Sequence, residues 1–120
     1  MRRLFPNPAD DVTVRECYDV ARPAPAGRPW VALCMVASLD GSTVMSGTSR
    51  GLSNATDASV LLTLRDLVDV VLVGAGTVRA EGYGPPRAPQ LRIAVVSRSA
   101  TFDFDQPLWQ SGRAVLVTTV

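Results

Sequence analysis

Trp30-Val31-Ala32-Leu33-Cys34-Met35-Val36-Ala37 is a continuous apolar run without polar alternation. A run of that length that follows a proline and carries no period of two predicts a strand buried on both faces. Such strands belong to sheets with helices packed on them. Three more short runs fit the same plan: Val70-Val71-Leu72-Val73, Ile93-Ala94-Val95-Val96, and Ala114 to Thr118. β-branched side chains dominate them, and these suit a pleated surface. Thr43-Val44-Met45 is a further short strand candidate.

Between the runs lie helix signals. Asn54 or Thr56 can cap a helix, with Asp57 placed favourably near its positive end. Val60, Leu61, Leu64, Leu67 and Val68 fall on one helical stripe, and Asp69 closes the helix. A short helix is expected from Val78 to Glu81. Phe102 to Gln110 reads as irregular. Strands alternating with helices predict an α/β domain with a largely parallel sheet. The chain ends at Val120 almost inside its last strand, so further strands or a partner chain are expected to cover that edge.

Residues before Trp30 have a different character. Met1 to Asp11 reads as an extended arm, and Thr13 can cap a short helix running to Val20. Ala21 to Pro29 holds three prolines and a glycine in nine residues, which makes it a linker or surface crossing. The expected division is therefore an arm, short helix and Pro-rich linker over 1–29, and one domain over 30–120. Pro6, Asn7, Pro8, Asp10 and Asp11 interrupt the N-terminus too early for a signal-peptide core. No apolar run approaches the roughly 20 residues of a membrane span. A cytoplasmic location is the expectation.

Composition removes several chemistries. The net charge is +1, so no bulk attraction to nucleic acid or a membrane is implied. All basic residues are arginine, and there is neither lysine nor histidine. Schiff-base lysines, Walker-type lysines and Ser-His or Cys-His nucleophiles are therefore absent from this chain. Cys17 and Cys34 fit no metal spacing, and no metal site is expected. Cys34, inside an apolar run, reads as a small buried hydrophobe.

Four segments can carry chemistry, each with a plainer alternative. Gly74-Ala75-Gly76-Thr77 follows a strand and opens a helix. Without Cβ atoms, the backbone there can approach a phosphate or cofactor, or the glycines simply make a tight turn. The pattern is neither GxGxxG, since Arg79 takes the third position, nor a P-loop, since lysine is missing. Ser38-Leu39-Asp40-Gly41 ends a strand where α/β sheets bind ligands. Asp40 there is either a reactive carboxylate or the side chain of an Asp-Gly turn bonded to its own backbone. Arg65 is either a surface cation beside Asp66 or a phosphate clamp. Glu81-Gly82-Tyr83-Gly84-Pro85-Pro86-Arg87 is either a plain connection or a loop lying over a site.

Taken in order, these segments resemble one family. Arg28-Pro29 before the apolar strand, Ala37-Ser38-Leu39-Asp40-Gly41, Gly47-Thr48-Ser49, Leu64-Arg65, Asp69 and Val73-Gly74-Ala75-Gly76-Thr77-Val78-Arg79 stand with the spacing of the C-terminal reductase domain of the riboflavin-biosynthesis deaminase-reductase. The resemblance covers about Arg28 to Val120 and is specific from Arg28 to Glu81. It implies the N-terminal portion of a dihydrofolate-reductase-like, three-layer α/β fold with a mostly parallel central sheet. It also implies NADPH as cofactor, and hydride delivery to the ribosyl C1 of a ribosylamino-pyrimidine phosphate. Ala37, Gly74, Gly76, Thr77 and Glu81 match cofactor-contacting positions. Ser49 and Arg65 match substrate-binding positions, with Arg65 near the phosphate. A homodimer is implied as well, with no nucleic-acid or membrane partner, while no catalytic acid or base is identified.

The match has departures. Cys34 stands where the family usually has lysine, Gly51 where it often has tryptophan, and Ala80-Glu81-Gly82-Tyr83 where it usually has Ala-Asp-Asp-Pro. The family's second glycine-rich cofactor motif would fall after Val120. A stand-alone member with an altered substrate is the expectation. Two other readings stay open: a dihydrofolate- or pterin-type reductase, which needs a ring-facing carboxylate from Asp40 or Asp57, and a non-catalytic nucleotide-binding paralogue.

Overall fold

The computed structural model describes residues 1–119. Its centre is a three-stranded sheet with β1 (Val70–Gly74), β2 (Arg92–Val96) and β3 (Ala114–Val117) in the order β1-β2-β3. Both pairings are parallel. Val71 stands opposite Ile93 and Val73 opposite Val95, while Ile93 stands opposite Ala114 and Val95 opposite Leu116. The α/β class and the parallel sheet are thus as the sequence predicts.

Parallel strands need crossovers, and helices supply them. α2 (Ala55–Leu67) leads into β1. α3 (Ala75–Glu81) and α4 (Pro107–Gln110) cover the sheet. Parallel register puts Val71, Val73, Ile93 and Val95 on one face. There they meet Ala75 and Val78 of α3, Leu108 of α4, and Leu91. Val95 is fully buried, and Leu91 and Leu108 nearly so. On the opposite face Leu72, Val96, Val115 and Val117 are exposed.

The N-terminal arm is tied to itself and to α2. Arg3 and Ala9 exchange two backbone hydrogen bonds, and the Met1 ammonium donates to the Val12 carbonyl. α1 (Val14–Tyr18) then begins with a full capping box: Thr13 Oγ1 accepts from the Glu16 amide, and the Glu16 carboxylate accepts from the Thr13 amide. α1 packs on α2.

Several expectations need correcting. Trp30 to Ala37 forms no strand among the described residues. Trp30, Val31, Leu33 and Met35 are exposed. An apolar run becomes a strand only when a neighbour accepts its backbone hydrogen bonds, and the three paired strands are elsewhere. Cys34 is exposed with that run rather than buried. Thr43-Val44-Met45 makes a single bridge, Met45 to Thr48, around Ser46-Gly47. α1 ends at Tyr18 rather than Val20, and α2 is capped by Asn54, whose side chain accepts from the Asp57 amide. Val68, not Asp69, ends α2, and Leu61 of its stripe is exposed. α3 starts at Ala75, one turn earlier than Val78, because Gly74 carries β1 directly into the helix. Pro107 at the first helical position nucleates α4 inside the stretch read as irregular.

Candidate functional site

The sequence-predicted residues gather around one element, α3. Gly74 is its N-cap, Gly76 and Thr77 lie in its first turn, and Glu81 is its last residue. Ala75 and Val78 are buried in the core. Thr77 and Glu81, four residues apart, share another face. Gly74, Gly76 and Thr77 are exposed where β1 ends. The glycines are not there for backbone freedom, since Gly74 has φ −75°. A Cβ added at Gly74 or at Gly76 would meet nothing within 4 Å. Their effect is instead to leave the backbone of the junction uncovered by side chains. The tight-turn alternative therefore does not account for them.

Glu81 ties a distant loop to the end of α3. One carboxylate oxygen accepts from the Ser49 amide at 2.7 Å and from the Ser49 hydroxyl at 2.9 Å. The other oxygen lies 3.8 Å from Arg50 Nε. The Ser49 amide is the main cause holding the Glu81 carboxyl below its ordinary range. The Ser49 hydroxyl and the Arg50 charge add to it, and burial opposes it. Ser49 thus stands beside the predicted cofactor segment through a carboxylate 32 residues away. Nothing in the spacing of the two residues announces that link.

Arg65 is also brought to the end of α3. It lies in the last turn of α2, half-buried. Its Nη2 donates to the Tyr83 hydroxyl at 2.6 Å, and its guanidinium carbon lies 5.0 Å from the centre of the Tyr83 ring. Gly82 makes this approach possible. Its φ of 62° is left-handed, a region open to glycine at little cost. The chain turns there, and the Tyr83 amide donates back to the Val78 carbonyl. The sequence offers Tyr83 only as part of the 81–87 loop; its pairing with Arg65 is a tertiary fact.

The remaining candidates do not join this cluster. Ala37 is exposed at the end of the 30–37 run, and no hydrogen bond among the described residues joins it to α3. Asp40 takes the plainer of its two readings. Ser38 Oγ donates to it closely, as does the Ser42 amide at 3.3 Å, with Gly41 at φ 84° completing the turn. These bonds, the Ser38 one first, lower its carboxyl below the ordinary range. Asp57 accepts from the Ser53 hydroxyl at 2.7 Å in the first turn of α2. At Gly51 a Cβ would fall 2.8 Å from Met45 Sδ and 2.9 Å from Met45 Cβ. That contact leaves no room there for the tryptophan often found in the resembled family. Among the described residues no cluster of three metal-ligating side chains occurs, and no helix is long and apolar enough to cross a membrane.

Comparison with known proteins bears on the fold and the family. The crystal structure of a pyrimidine reductase-like protein from Corynebacterium diphtheriae NCTC superposes with a TM-score of 0.61 at 29% identity, over 70% of this chain. The chain spans 42% of that protein's length. Among curated proteins, none matches. The family model of the RibD C-terminal domain matches residues 29–120. With a parallel α/β sheet, an open glycine junction after its first strand, and that match over most of its length, the chain belongs to the RibD C-terminal domain family.

Proposed function

We propose that this chain carries part of the site of an NADPH-dependent reductase acting on a ribosylamino-pyrimidine phosphate, in the manner of 5-amino-6-(5-phosphoribosylamino)uracil reductase. The observation that carries this reading is the convergence on α3. The cofactor candidates Gly74, Gly76, Thr77 and Glu81 lie at its N-cap or within it; of the substrate candidates, Ser49 is bonded to its last residue, Glu81, and Arg65 to Tyr83, two residues past that end.

The residues present fit a nicotinamide dinucleotide. The uncovered backbone at Gly74 and Gly76 admits the close approach that a Cβ would block. The exposed Thr77 hydroxyl offers a donor and an acceptor beside it. When bound, the cofactor supplies the hydride. The chain's own part is to bind and orient. Glu81 holds the Ser49 loop against α3, and Arg65 presents a fixed positive charge suited to the substrate's phosphate.

A pterin-type substrate is less well served. Asp40 and Asp57, the two candidates for the one carboxylate such a ring would need, are each engaged in local turn and cap bonds. The reading extends to a homodimer, supported by the open apolar face at Leu72, Val115 and Val117.

Titration of the purified chain with NADPH and NADH, followed by nicotinamide fluorescence, tests the cofactor assignment. Saturable binding that prefers NADPH is expected, weakened about tenfold or more by Gly76→Val, whose side chain occupies the open junction, and several-fold by Thr77→Ala. Binding unaffected by both substitutions would place the cofactor elsewhere. Binding without oxidation in the presence of the pyrimidine substrate would favour a non-catalytic paralogue.

A further inference from the structure

We propose that Tyr83 and Arg65 form one oxyanion-binding pair, in which the phenol hydroxyl donates its proton to the anion that the guanidinium attracts. Naming that anion as the substrate's phosphate rests on the reductase reading; the pair itself rests on the following observations.

Arg65 is a half-buried cation without a counter-ion. No carboxylate lies within ion-pair distance of it among the described residues. Its neighbour Asp66 is exposed. Its partner is instead neutral: the Tyr83 oxygen accepts at 2.6 Å, and the ring face lies 5.0 Å from the guanidinium carbon. Arg65 Nε is buried and has no hydrogen-bond partner. A buried N–H left unmade is costly, and a partly desolvated charge with no opposite charge beside it is costly too. A phosphate or carboxylate beside the guanidinium would supply the missing opposite charge.

The hydrogen-bond direction determines what Tyr83 adds. A phenol has one proton and an oxygen that accepts. Arg65 uses the accepting side, so the proton remains to be donated, and no acceptor for it occurs among the described residues. Accepting from a cation also makes that O–H a stronger donor. The pair therefore offers an anion the free guanidinium N–H groups together with one O–H, held in fixed relation by the ring contact. Tyr83 is itself anchored, because it packs against the core cluster and follows the left-handed Gly82. A neutral donor beside a single arginine also favours phosphate over a bare attraction for any anion, since phosphate oxygens can accept from both at once.

The test uses the chain labelled with 15N-arginine and follows the Arg65 Nε–Hε signal, identified by its loss in Arg65→Lys. Ribose 5-phosphate and ribose are titrated into the wild type and into Tyr83→Phe, which keeps the ring and its packing but removes the hydroxyl. The expected result is a saturable shift with ribose 5-phosphate and none with ribose, and an apparent Kd raised about tenfold in Tyr83→Phe. Equal affinity in the wild type and Tyr83→Phe would overturn the role of Tyr83 while leaving Arg65 as the phosphate clamp. An Arg65 signal that responds to neither sugar would overturn the pair and, with it, the phosphate assignment in the proposed reaction. NADPH binding would stand apart from both results.

Discussion

Glu81 illustrates how one carboxylate can set the conformation of a segment far from it in sequence. Its two bonds from Ser49 form only to the charged carboxylate at full strength, which is why its carboxyl is held below the ordinary range. The sign follows. A group whose folded pKa is lowered stabilises the fold above its unfolded value and loses that contribution as pH falls through the folded one. The ordinary glutamate value is 4.5 and that of Glu81 lies below it, so protection of the Ser49 amide against hydrogen exchange is expected to be constant near neutral pH. It should fall on acidification below about pH 4.5. Glu81→Gln should show reduced protection at every pH. A Ser49 amide with the same pH profile in both proteins would sever the loop from Glu81. Resemblance singled out Ser49 and Glu81 separately; that they bond to one another could not be read from positions 32 residues apart.

Among the elements, α3 matters most for the site, and its C-terminal end is decided by Gly82. An Ala at φ 62° is strained by about 1 kcal/mol. Relaxing the strain would swing Tyr83 away from Arg65. Gly82→Ala is therefore expected to lower stability by roughly 1 kcal/mol in denaturant unfolding and to change the Arg65 Nε–Hε signal even without ligand. Loss of stability with an unchanged Arg65 signal would show that Tyr83 keeps its place by packing alone. The existence of α2, α3 and the three paired strands was readable from caps, apolar runs and glycine. The sequence alone sets the start of α3 too late, because Gly74 and Gly76 read as a turn, whereas an extended Gly74 passes straight into the helix and Gly76 lies inside it.

For the molecule as a whole, the distribution of apolar surface is the dominant fact. Its Cα radius of gyration is 16.2 Å, against roughly 13–14 Å for a packed domain of 120 residues. The excess goes with two apolar regions left in solvent, the 30–37 run and the open face of the sheet. Val31 and Leu33 are more than four-fifths exposed. Burial of such surface drives association. Sedimentation equilibrium at micromolar concentration is expected to give a dimer of the 12.8 kDa chain. The monomer mass at all concentrations would remove the homodimer from the proposed reading.

What the sequence determined by itself is what local physics controls. Capping side chains announced α1 and α2, β-branched runs announced β1, β2 and β3, and the order of strands and helices implied a parallel α/β sheet. The absence of lysine and histidine by itself sets limits on the chemistry. What only the tertiary structure decided is partnership. Whether an apolar run such as Trp30 to Ala37 becomes a strand depends on a neighbour to accept its backbone bonds, and whether Asp40 is reactive depends on what surrounds it. That Ser49 reaches Glu81 at the end of α3, and Arg65 reaches Tyr83 just past it, depends on how the chain crosses over the sheet. Hydrogen bonds between residues distant in sequence leave no periodicity behind, so the pairs that define the candidate site had to be seen in three dimensions.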